Sequence, residues 1–88
     1  MSGKNTETKY RVYFTLYDEE LFKKILKELD NTLDANIIVH KSTLPEFRYI
    51  EIIPLQDKTH IDKSILFNLL SKYREEVSGL RIDEIKIE

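Results

Sequence analysis

The spacing of apolar residues switches between two periods along this chain, and the order of those switches constrains the fold more than any other feature. From Arg11 the run RVYFTLY alternates, with Val12, Phe14 and Leu16 on one side and Tyr13, Thr15 and Tyr17 on the other. A period of two is that of a strand with one buried face. Beyond the acidic triplet Asp18-Glu19-Glu20 the pattern changes: Leu21, Phe22, Ile25, Leu26 and Leu29 recur at helical spacing, while Lys23, Lys24 and Lys27 fall outside the stripe. Asp18 is placed to accept hydrogen bonds from the orphan N–H groups of that helix, and the two glutamates complement its positive end. The following DNTLDAN favours a turn, because Asn and Asp side chains compete with helical hydrogen bonds.

The second half repeats the switch. NIIVHKS and EFRYIEII, the latter closed by Pro54, are separated by Thr43-Leu44-Pro45 and predict an antiparallel hairpin. In the second of these strands Arg48, Ile50 and Ile52 share one face; Phe47, Tyr49 and Glu51 share the other. The segment from Ile61 to Val77 aligns Ile61, Ile65, Leu66, Leu69, Leu70, Tyr73 and Val77 on one side of a second helix, with Asp57 or Thr59 as its cap and Ser78-Gly79 as its stop. The tail LRIDEIKIE predicts a fourth strand, with Ile85 and Ile87 inward and Glu84, Lys86 and Glu88 outward.

The resulting order is βαββαβ. With right-handed crossovers, two such strand-helix-strand units interleave into a four-stranded antiparallel sheet with both helices on one face, the ferredoxin-like α+β arrangement. Residues 1–8 read as a flexible polar tail and 9–88 as a single domain. A chain of 88 residues hides only about 60–65% of its unfolded surface on folding, so a partner subunit adds stability that the core alone supplies thinly.

Placing Val12, Phe14, Leu16, Ile50 and Ile52 against the helices leaves the other sheet face uncovered. That face then carries Tyr13, Thr15, Phe47, Tyr49 and Glu51 on the two central strands, His40 or Ile38 beside them, and Lys86 on the fourth strand. Side-by-side exposed aromatics mark a binding surface more often than isolated ones do. Tyr13, Phe47 and Tyr49 are the expected anchors, with Arg11, Thr15, His40 and Lys86 around them. The partner they suggest is a second copy of the chain or another protein, since open sheet faces of this kind stack on one another and two-fold dimers are the commonest oligomers. The alternative is single-stranded RNA.

The alternative comes from a resemblance. VYFTLY resembles the first-strand signature of RNA-recognition motifs, with Tyr13 at its stacking position, and EFRYIEI resembles the third-strand signature, with Phe47 and Tyr49 at its two aromatic positions. The resemblance implies stacking of these rings on unpaired bases. Glu46 stands where that family has a glycine, and Arg48 where it has a small residue. A second stretch, with Asp57, Ile61, Ser64 and Ile65, is similar to the start of the last helix in the small dimerising subunit of the KEOPS tRNA-modification complex, with Asp62 where that family prefers Arg and Leu66 where it prefers Asn. It implies an accessory role near tRNA.

Charge bears on the choice. With 14 Lys+Arg against 16 Asp+Glu the net charge is −2, without the basic surplus by which nucleic-acid binders meet phosphates. Lys23, Lys24 and Lys27 lie on a helix flank far from the open face.

Other chemistries find no carrier. The chain has no cysteine, which excludes disulfides and thiolate metal sites and suits a reducing, cytoplasmic setting. His40 and His60 stand apart from any cluster at metal-ligand spacing, so no metal or cofactor is expected. Gly3 and Gly79 are the only glycines, too few for a phosphate-cradling loop, and Thr59 and Ser64 lack an activating context. A non-catalytic role is therefore expected. The longest apolar runs are three residues, far from the roughly 20 that span a bilayer, and the polar N-terminus lacks the apolar core of a signal peptide. Phe67 falls off the apolar side of the second helix, on a side with Ser71 and Arg74, and predicts either edge packing or a second contact site.

Overall fold

A computed structural model describes residues 7–55 and 61–87. The elements follow in the order β1 (Glu7–Thr15), α1 (Glu19–Thr32), β2 (Ala35–His40), β3 (Phe47–Pro54), α2 (Lys63–Ser71) and β4 (Ser78–Ile87). The strands form one antiparallel sheet in the order β2-β3-β1-β4. This is the ferredoxin-like α+β fold. β1 begins at Glu7, so Glu7 and Thr8 of the expected 1–8 tail are strand, paired with Ile87 and Lys86.

Alternation on β1 and β3 builds the core. Tyr10, Val12, Phe14 and Leu16 from the β1 segment meet Ile50 and Ile52 from β3, and Phe22, Ile25 and Leu29 of α1 and Leu66 and Leu70 of α2 close over them in one buried cluster. Both helices thus lie on the same side of the sheet. Asp18 caps α1, its Oδ1 accepting from the Leu21 amide at 3.1 Å. Arg48, on the helix side, fastens that end of the molecule: its Nε donates to the Leu16 carbonyl at 3.0 Å, its Nη1 reaches Glu19 at 3.0 Å, and its guanidinium lies 4.4 Å from the centre of the Phe22 ring.

The second half departs from the sequence reading in three ways. α2 is shorter than the expected Ile61–Val77. It is capped by Asp62, whose Oδ1 accepts from Ile65 N at 2.9 Å, whereas Asp57, Thr59 and His60 lie outside the described residues. After Ser71 the backbone tightens, with Tyr73 N bonding Leu70 O and Arg74 N bonding Ser71 O. All seven residues of the expected apolar side still face the core or pack against it, because short-period turns preserve the direction in which Tyr73 and Val77 point.

Gly79 does not end a helix. Tyr13 pairs with Arg81 but Thr15 with Ser78, so Gly79 and Leu80 together oppose Phe14 in a β-bulge. Gly79 has φ 64, a left-handed conformation that glycine takes without steric cost and that such bulges require.

The faces of β4 are the reverse of those expected. Val12 pairs with Ile82, Tyr10 with Glu84 and Lys9 with Ile85. Paired residues project to the same side of a sheet, so Ile82, Glu84 and Lys86 lie on the helix side and Arg81, Asp83 and Ile85 on the open side. LRIDEIKIE holds two apolar pairs, Leu80/Ile82 and Ile85/Ile87, one residue out of phase. Only one pair can point inward, since a slip of one residue turns over every side chain. The core takes Ile82, which is buried opposite Val12.

Candidate association surface on the open sheet face

Backbone register alone decides which side chains meet on the open face. One row crosses all four strands: His40 pairs with Tyr49, Tyr49 with Tyr13, and Tyr13 with Arg81. The row is a continuous stack. His40 lies 4.4 Å from Tyr49 at 17° from parallel, Tyr49 lies 4.7 Å from Tyr13 at 13°, and the Arg81 guanidinium sits 5.7 Å from the centre of the Tyr13 ring. Each tyrosine therefore has a neighbour on both faces. Burial raises the Tyr49 hydroxyl above its ordinary pKa, with the Glu51 carboxylate adding to the effect.

The next row holds Ile38, Glu51, Arg11 and Asp83. Glu51 is only 8% exposed although it lies on the face opposite α1 and α2. Three bases surround it: His40 Nε2 at 2.9 Å, Lys9 Nζ at 3.0 Å and Arg11 Nε at 3.4 Å. A carboxylate only accepts, so the Nε2 of His40 carries the shared hydrogen. These contacts, the His40 hydrogen bond first and Lys9 next, hold the Glu51 carboxyl at a pKa of about 2. The negative charge beside the aromatics is thus neutralised within the sheet. Arg81 and Asp83 likewise pair at 3.2 Å.

Towards the β2–β3 connection the face opens into a groove of about 490 Å³, lined by Tyr13, Thr15, Phe47 and Tyr49 together with Lys41, Thr43 and Gly79 among others. Phe47, at the end of β3, is 49% exposed.

Of the residues expected at the site, Tyr13, Thr15, Phe47 and Tyr49 come together in the groove, and Arg11 and His40 join them through Glu51. Lys86 does not. It pairs with Thr8 and stands on the helix side, because the register of β4 follows Ile82. Arg81 and Lys9 occupy the open face instead. Extending the β1 alternation back two residues points to Lys9; Arg81 becomes legible only once Ile82 is assigned to the core. Phe67 is 55% exposed on α2, remote from this face. Among the described residues no group of three or more His, Asp or Glu side chains is arranged to hold a metal ion, and no helix is long and apolar enough to cross a membrane.

Comparison with known proteins finds no family model that matches the chain and no curated protein similar to it.

Proposed function

We propose that the protein is a non-catalytic association module of the cytoplasm, burying its open sheet face against a protein partner and, first of all, against a second copy of itself. The observation that carries this reading is the stack His40–Tyr49–Tyr13–Arg81. A base binds to a free ring face, and here both faces of Tyr49 and one face of Tyr13 are taken by stacked rings, with the Arg81 guanidinium over the other. What Tyr13 and Tyr49 present outward is ring edge and hydroxyl, which suits packing against protein side chains. Phe47 and Ile38 add exposed apolar surface. The internal pairing of Glu51 and Asp83 with Lys9, Arg11, His40 and Arg81 means that docking desolvates few unpartnered charges, the costly kind to bury.

A specific observation favours the second reading, single-stranded RNA. The Phe47 ring is half exposed and shares its groove with Lys41, so one base could stack there.

Sedimentation equilibrium separates the two. The association reading expects a species of twice the chain mass or more at micromolar concentration, reduced by the double substitution Phe47→Ala/Tyr49→Ala with helix content retained. A strict monomer that changes mobility with single-stranded RNA at low salt would overturn it in favour of RNA.

A further inference from the structure

The two edges of the sheet are unlike. β4, on one side, carries Arg81, Asp83, Glu84 and Lys86 and is broken by the Gly79 bulge. Charges and bulges are the devices by which edge strands avoid pairing with other chains. β2, on the other side, pairs among the described residues only with β3 and from Ala35 to Val39 has no charge, proline, glycine or bulge. Its successive residues Ile38 and Val39 point to opposite faces of the sheet, yet they are 41% and 48% exposed. Apolar side chains open on both faces at once are what a strand shows when its outer neighbour is missing.

We propose that β2 is a strand-addition site and that its occupant is β2 of a second copy, joined antiparallel about a two-fold axis into one eight-stranded sheet. The sequence of β2 selects both occupant and register. For the two sheets to continue with their helices on the same side, opposed residues must share a face. Centring the axis on Ile38 sets Ile38 against Ile38 and Asn36 against His40 on the open face, and Ile37 against Val39 on the helix face. Apolar residues then meet apolar ones and polar residues meet polar ones, the matching that stabilises cross-strand pairs. Shifting the axis to Ile37 sets Ile38 against Asn36, and shifting it to Val39 sets Ile38 against His40. The central register also brings Asp34, just before the strand, within one position of Lys41 of the second copy, just after it, at both ends of the contact. Backbone hydrogen bonds supply the remainder, as in other strand-addition complexes. The contact is separate from the open-face association and does not depend on it.

Two measurements on the full chain test it together. Val39 is on the helix side, so Val39→Lys charges the edge without touching the open face; it should halve the mass seen by sedimentation while leaving the far-UV spectrum unchanged. Because the chain lacks cysteine, Ile38→Cys introduces a single thiol that the central register places opposite its own copy, within reach of a disulfide. Oxidation should convert most of that variant to a covalent dimer, also in a Phe47→Ala/Tyr49→Ala background, whereas exposed Phe67→Cys should cross-link at least tenfold more slowly. The proposal stands only if both results are obtained. A monomeric wild type, a mass unaffected by Val39→Lys, or cross-linking no faster at position 38 than at position 67 overturns it. Loss of mass in the Phe47→Ala/Tyr49→Ala chain alone speaks to the open face and leaves this contact standing.

Discussion

The rings of Tyr13 and Tyr49 stack 4.7 Å apart across the central strand pair, directly opposite each other in the β1–β3 register. Two residues that look from the sequence like separate platforms for ligands are thus each other's ligand. Their neighbour Phe47, equally aromatic and on the same strand as Tyr49, is not in the stack and stays exposed.

That difference separates stability from binding. Tyr49 touches both Tyr13 and His40, and aromatic pairs contribute about 0.5–1.5 kcal/mol each beyond the area they bury. Tyr49→Ala should therefore cost roughly 2–3 kcal/mol in a urea melt, and Phe47→Ala less than about 1 kcal/mol. Phe47→Ala should instead weaken self-association.

Glu51 makes stability depend on acid. Its folded pKa of about 2 lies below the ordinary 4.5, so the unfolded chain binds the proton more readily. The stabilisation is present in full above pH 4.5 and is lost as the pH falls towards 2, amounting to on the order of 2–3 kcal/mol. Glu51→Gln should be less stable than the wild type at pH 7, and the gap should close between about pH 4.5 and pH 2. Urea midpoints of the two proteins measured across that range check the sign.

Tyr10 closes the core at the start of α2. Its buried hydroxyl donates to the Ile61 carbonyl at 2.7 Å, and burial, with Glu84 and Asp62 nearby, raises its pKa. Tyr10→Phe leaves that carbonyl without this partner and should cost about 1–3 kcal/mol. Amide exchange should quicken at the N-terminus of α2 more than in α1.

The register of β4 can be read from a pair of truncations. Ile82 is buried and Ile85 half-buried on the open face. Ile82→Ala should cost about 2–4 kcal/mol and Ile85→Ala roughly 1 kcal/mol or less. The opposite ranking would return Ile85 to the core.

Gly79 offers a cleaner backbone test. A Cβ added there meets nothing within 4 Å, so Gly79→Ala feels only the left-handed φ, a cost of about 1–2 kcal/mol. Thermal unfolding of the variant measures it.

Much of the architecture was legible in the sequence because it depends on local periodicity. The order βαββαβ, the cap at Asp18, the inward set Val12, Phe14, Ile50 and Ile52, and the outward aromatics Tyr13, Phe47 and Tyr49 all follow from alternation or helical spacing within a few residues. Where local signals were duplicated, they could not choose. The sequence offers Asp57 and Thr59 as caps where the structure uses Asp62, and β4 carries two apolar pairs out of phase.

What only the tertiary structure decided is what happens across strands. Register brought Lys9, Arg11 and His40 around Glu51, so that the carboxylate beside the aromatics is paired within the sheet. It removed Lys86 from that face, put Arg81 there, and set the tyrosine rings face to face. Each of these rests on pairings between residues distant in the chain. A sequence specifies by local pattern which face a strand buries; which strangers it meets on that face is settled only when the core, through contacts such as Ile82 against Val12, chooses one register out of those the pattern allows.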